Sequence, residues 1–148
     1  MKKLFFMALL GTAGYFSVSA QCDTKIKLVS DKAFEVKADN SEGQNIPVTA
    51  IIRFSKNSIS VVLNYQNGTT TEISGANSSL VCKMNKGYTE GTIDIKSDAE
   101  IKTPETTGRS KMLITIESKA GQMKVYGVPE DNPDGKICFV IKEKQEIK

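Results

Sequence analysis

The chain has 148 residues and no histidine, which removes Ser-His-Asp and Cys-His catalysis and every histidine-based metal site. Its 20 Lys and Arg stand against 17 Asp and Glu for a formal charge of +3, a balance that argues against a nucleic-acid surface or a strongly anionic partner. At this length one domain is expected, large enough to bury roughly two thirds of its unfolded surface.

Residues 1–20 (MKKLFFMALLGTAGYFSVSA) combine Lys2 and Lys3, an apolar run and a small-residue end with Val18 and Ala20. That pattern predicts a signal peptide and export to the periplasm or the extracellular space. The apolar run is shorter than the ~20 residues a bilayer-spanning helix needs, so no transmembrane segment is expected. Gln21 rather than a small residue precedes Cys22, so no lipid anchor is expected either. Cleavage leaves residues 21–148 as a single all-β domain with 18 basic and 17 acidic residues.

Lys25–Ser30 and Ala33–Ala38 predict a first pair of strands around Ser30, Asp31 and Lys32, followed by a polar loop over 40–45 (NSEGQN). The strongest alternation lies in 46–73. Val48, Ala50, Ile52 and Phe54 alternate with Thr49, Ile51, Arg53 and Ser55; Ile59, Val61, Leu63 and Tyr65 alternate with Ser60, Val62 and Asn64. A two-residue turn at Lys56 and Asn57 places Phe54 opposite Ile59, Ile52 opposite Val61, Ala50 opposite Leu63 and Val48 opposite Tyr65, so each apolar residue meets another. A one-residue slip would spoil all four pairs. At Gln66, Asn67 and Gly68 a three-residue loop with glycine left-handed puts Val61 opposite Ile73 and turns Glu72 to water, which burial favours over a two-residue turn.

A loop is expected over Gly75–Ser78. Leu80, Cys82 and Met84 then alternate, and a turn at Asn85, Lys86 and Gly87 would set Leu80 opposite Ile93 and Cys82 opposite Gly91. Residues 98–110 (DAEIKTPETTGRS) predict the longest loop. Met112, Ile114 and Ile116 form a strand that turns at Ala120 and Gly121, bringing Met123 and Val125 back opposite Ser118 and Ile116. A turn cluster at 129–135 leads to a last strand with Ile137, Phe139 and Ile141 on one face, then a charged tail. The fold class is all-β: a single antiparallel meander of nine or ten short strands closing as a barrel or folding as a sandwich. An outer-membrane barrel is disfavoured, because Lys, Thr, Glu, Asn and Ser alternate with the apolar residues where a lipid-facing band would be needed.

The segments TEISG (71–75), SSLVC (78–82), YTEG (88–91) and ITIESKAGQM (114–123), behind a signal ending at Ala20 and Gln21, resemble short exported proteins of unknown function from Bacteroidota-type bacteria. The likeness spans about the C-terminal two thirds of the mature chain. It implies compartment and fold and carries no activity; Cys22 and Cys82 fit it, whereas Cys138 departs from it.

Three cysteines allow three single bridges. Cys82 lies on the core side of its strand and Cys22 on a start able to move toward it, while Cys138 is out of phase with Ile137, Phe139 and Ile141. A Cys22–Cys82 disulfide is therefore expected.

Glu130, Asn132, Asp134 and Gly135 match the first half of a calcium loop, but Ile141 stands where the bidentate glutamate belongs, so they read as a hairpin turn and no metal site is assigned. Glu72, Glu90 and Asp94 are available for acid and base work but sit at outward or loop positions without a visible partner. Tyr65, Tyr88 and Tyr126 could line a pocket mouth or pack at the core edge with a wet hydroxyl. Asn67 and Asn77 begin the glycosylation-type triplets NGT and NSS. With no nucleophile motif and no phosphate-binding glycine loop, a non-catalytic binding module for a small apolar or amphipathic ligand is the leading expectation, with no catalytic residue and no cofactor. The alternative is a cell-envelope structural or interaction protein that meets a protein or glycan through a sheet face or edge. A hollow core would favour the first, and a filled core with an exposed patch at Ile51 and Val62 the second.

Overall fold

A computed structural model describes residues 22–147; the expected signal peptide lies outside them. Eleven antiparallel strands form one curled sheet, a half-barrel. In chain order they are β1 (Lys25–Ser30), β2 (Lys32–Val36), β3 (Glu42–Ile46), β4 (Val48–Phe54), β5 (Ser58–Tyr65), β6 (Thr70–Met84), β7 (Gly91–Lys102), β8 (Thr107–Lys119), β9 (Gln122–Pro129), β10 (Ile137–Val140) and β11 (Glu143–Ile147). Their order across the sheet is β11-β1-β4-β5-β6-β7-β8-β9-β10-β2-β3. The stretch from β4 to β10 is a meander of hairpins.

The period-two pattern sets the register where it is strongest. Val48 faces Tyr65, Ala50 faces Leu63, Ile52 faces Val61 and Phe54 faces Ile59; Val61 faces Ile73 across the next hairpin. Gly68 adopts φ 84°, and Tyr65 N–H donates to Thr69 O at 2.9 Å, which closes the expected bulged loop. Ser118 faces Met123 and Ile116 faces Val125, as alternation requires. The concave face collects the main core, from Ile26 and Leu28 through Ile52, Ile93 and Ile116 to Val125 and Phe139.

Several expectations are corrected. β1 and β2 do not pair with each other: β1 pairs β11 and β4, whereas β2 pairs β10 and β3 at the other end of the sheet. The chain bends at Asp31 instead of reversing. Ser30 Oγ donates to Lys32 O at 2.8 Å and accepts from Lys32 N–H at 3.3 Å, and the bend keeps both Ser30 and Ala33 buried. Two other strands bend in the same way, β3 into β4 through Pro47 and β10 into β11 through Ile141 and Lys142. Lys142 N–H donates to Val29 O at 2.8 Å, and its Nζ pairs with Asp31 at 3.0 Å, tying two bends together.

The polar segments expected as a loop and a tail contain β3 and β11. Each is an edge strand with one neighbour, so polar side chains can be wet on both faces while the backbone still pairs on one side. The segment 75–78 lies inside the 15-residue β6, bulged between Asn77 and Ser79. Gly75 belongs there because a side chain would collide with Ser97 Oγ and the Asp98 carbonyl. The long loop at 98–110 shrinks to a turn closed by Thr103 N–H on Thr106 O at 2.8 Å. The small residues Ser97 and Ala99 continue the buried row of β7, and Asp98 and Glu100 face Lys111 and Arg109 across the strands. The β6–β7 register is shifted from expectation: Leu80 faces Ile95, Cys82 faces Ile93 and Met84 faces Gly91. The cause is a wider loop, in which Asn85 Oδ1 accepts from the N–H groups of Thr89 and Glu90 at 2.8 and 3.2 Å. That loop turns Tyr88 inward.

Candidate functional site

The two ends of the half-barrel differ. One end is closed by the Cys22–Cys82 disulfide, which joins residues 60 positions apart with Cα atoms 6.3 Å from each other. Met84, Tyr88 and Ile93 are buried in the same core cluster as Cys22. Tyr88 is held at φ 55°, and its carbonyl accepts from the buried Ser118 Oγ at 2.8 Å. Lys144 covers the ring, its Nζ 5.0 Å from the centroid, and also donates to Gly87 O at 2.8 Å. Burial, then the nearby Glu146 carboxylate, pushes the Tyr88 hydroxyl pKa upward.

At the other end the concave face encloses an apolar cavity of about 230 Å³. Its deeper wall is made of buried aliphatic side chains, among them Ile52, Leu63 and Ile114; half-buried Ile73, Ile101 and Ile137 stand toward solvent. The space exists because of a missing side chain. Along β9 the inward row reads Met123, Val125, Gly127, Pro129, and Gly127 lies between Ile114 and Ile137 of the neighbouring strands. A Cβ built on Gly127 would meet nothing within 4 Å. Two large aliphatic neighbours thus flank a position that contributes only backbone, and the volume between them stays empty. Among the described residues no charged side chain lines the cavity. Its side-chain polar groups are the hydroxyls of Tyr65 and Thr71, which have no hydrogen-bond partner among the described residues.

The residues singled out from sequence are scattered. Of the three tyrosines, Tyr65 lines the cavity, Tyr88 plugs the opposite end, and Tyr126 lies on the outer face. There Tyr126, Phe34, Val36, Val140 and the fully buried Cys138 form a second small cluster. Burial, reinforced by Cys138, pushes the Tyr126 hydroxyl up to about 12, and burial raises the Cys138 thiol as well. Cys138 is unbridged. Its out-of-phase position therefore places it in a dry cluster on the other face of the sheet, not in water.

The three carboxylates do not converge. Glu72 is outward on β6 opposite Lys102. Glu90 accepts from Ala120 N–H at 2.7 Å, and Asp94 from Thr115 Oγ1 at 2.9 Å. Each of these last two fastens neighbouring strands or loops, and none lines the cavity. The segment from Glu130 to Gly135 forms successive turns, with Asn132 N–H on Pro129 O at 3.2 Å and Gly135 N–H on Asn132 O at 3.0 Å. Asn67 Oδ1 is engaged by Thr69 Oγ1 at 2.7 Å, and Asn77 Nδ2 donates to Ser55 O at 3.0 Å. Ile51 and Val62 face each other, half-buried, on the outer face. The exposed large hydrophobe among the described residues is Val81, at 49%.

Sequence reading did not find Gly127. The available signal was a glycine inside an otherwise apolar inward row, where a strand-filling side chain is the norm. Among the described residues no helix is long and apolar enough to cross a membrane. No family model matches the chain, and neither the curated proteins nor the solved structures searched include a match.

Proposed function

We propose that this protein is an exported, non-catalytic binding module that holds a small apolar or amphipathic ligand in the open end of its half-barrel. The observation that carries this reading is the apolar hollow beside Gly127 on the concave face. Apolar concavities with a few polar groups at fixed places are the usual form of small-molecule sites. The outward, strand-fastening positions of Glu90 and Asp94 support binding over catalysis. The signal-like residues 1–20, the disulfide and the likeness to short exported proteins support a periplasmic or extracellular location.

The test is titration with the neutral, rod-shaped fluorophore diphenylhexatriene, comparing the parent protein with Gly127→Leu. A Cβ there meets nothing within 4 Å and a leucine would extend into the cavity, so probe affinity should fall at least about tenfold while the fold is kept, each 1.4 kcal/mol of lost burial being a factor of ten. Undiminished binding by the variant would count against the cavity as the site.

A second reading, an envelope interaction protein, draws on the open sheet edges at β3 and β11 and on exposed Val81. Both edges are polar and short, and Val81 stands alone, which makes this the weaker case.

A further inference from the structure

We propose that the ligand of this cavity has a single unbranched alkyl chain ending in an uncharged polar group, such as a hydroxyl or an ester. This rests on the binding reading and narrows its chemistry. Three observations point the same way.

The volume comes first. At about 230 Å³ the cavity falls below the roughly 300–1,000 Å³ of pockets that enclose drug-sized ligands. One aliphatic chain fits such a space, whereas a fused-ring sterol or a two-chain lipid does not.

The second is the lining. A ligand buried against Ile52, Leu63, Ile114 and Phe139 gains from an alkyl body, but a charged end drawn inside would lose its hydration with no opposite charge to receive it. What the wall offers instead is a pair of neutral hydroxyls. Leu63 faces Thr71 across β5 and β6, and Tyr65 follows Leu63 on the same face, which puts Tyr65 and Thr71 in a diagonal relation roughly 7–8 Å apart. Each can donate to and accept from a ligand oxygen.

The third is charge around the opening. The turn that joins the lining residues Pro129 and Gly135 carries Glu130, Asp131 and Asp134, all exposed. Lys37 lines a separate hollow with Asp134 and Lys136, and the other nearby cations are occupied or turned away. Glu100 holds Lys102 at 2.9 Å, Asp98 holds Arg109 at 3.5 Å, and Lys136 lies 5.0 Å from the Tyr126 ring centre on the outer face. Lys111 is on the outward row of β8, beside inward Met112. An anionic head group at this mouth would meet carboxylates.

The experiment is displacement of diphenylhexatriene from the full protein at neutral pH by decanol, methyl decanoate, sodium decanoate and a fused-ring sterol, repeated with Tyr65→Phe and Thr71→Val combined. Decanol and methyl decanoate should bind at least about tenfold more tightly than decanoate, the difference being the desolvation of the carboxylate. The double variant should weaken decanol relative to diphenylhexatriene, which has no polar group, by about fivefold for each hydrogen bond lost. Decanoate equal to or tighter than decanol, or a sterol tighter than both, would overturn this inference and leave the binding reading standing. Failure of diphenylhexatriene and of every competitor to bind would overturn both.

Discussion

At one end of the half-barrel the strands β6 to β9 present Met84, Ile93, Ile116 and Met123 to a core that includes Tyr88 and Cys22; at the other the same strands present Ile73, Ile101, Ile114 and Gly127 to an apolar hollow. The alternation is equally regular at both ends. The difference lies in what is placed over the strand ends. The 85–90 loop is wide enough to turn an aromatic ring inward, whereas the 103–106 turn is tight and stays outside. A hollow in a β fold can thus arise from one small residue in the inward row together with a short turn at its mouth, without any change of topology.

The two ends should lose their contrast most severely if the closed one loses its covalent tie. Replacing Cys82 by serine opens a 60-residue loop and should lower stability by about 4 kcal/mol on the chain-entropy account. Urea unfolding of the variant and of the reduced parent checks this, and a loss below about 1 kcal/mol would show that Tyr88 and Met84 close the end unaided.

Matched truncations give the next largest contrast. Ile116→Ala, fully buried near the closed end, should cost about 3 kcal/mol, while Ile101→Ala on the cavity wall should cost about 1 kcal/mol, because its side chain already borders empty space. Equal losses in chemical denaturation would contradict the hollow.

Gly127→Leu should leave stability unchanged or raise it by about 1 kcal/mol, since added apolar atoms enter an existing void and the unfolded chain loses glycine's freedom. Thermal unfolding with and without bound probe separates this gain from the loss of ligand binding.

The smallest effect concerns alkali. Tyr88 and Tyr126 have hydroxyls whose pKa is raised in the folded state, so the stability they contribute is complete below about pH 10 and declines as pH rises, for Tyr126 up to about 12. Tyr126→Phe should flatten the fall in stability over that interval, as followed by denaturant midpoints, and an unchanged slope would remove Tyr126 from the account.

The legible part of this fold was the part with local rules. Each apolar residue from Val48 to Tyr65 had one partner that burial would accept, and the bridge between Cys22 and Cys82 followed from the core-side phase of Cys82, the out-of-phase place of Cys138 and a chain start able to reach. Reading failed where neighbours in sequence part in space. Lys25–Val36 resembles a hairpin because Ser30, Asp31 and Lys32 could form a turn, and only the distant strands β10 and β11 decide that it bends. Composition misled in 98–102, where Ala99, next after Ser97 in the inward row, buries like a larger residue because Gly75 lets the strands approach. The hollow was hidden for a related reason, since a glycine tells nothing about the size of its neighbours' side chains.

The three bent strands also govern the order in which the molecule can be assembled. Hairpins from β4 to β9 join segments close in sequence and can form as soon as they exist. β1 and β2 each gain their second partner only from β11 and β10, more than a hundred residues downstream. Closing such long loops pays little until both sides are in place, so high contact order makes this final docking the slow event of folding. Until residues 137–147 arrive, the outer edges of β1 and β2 remain open to pairing with other chains.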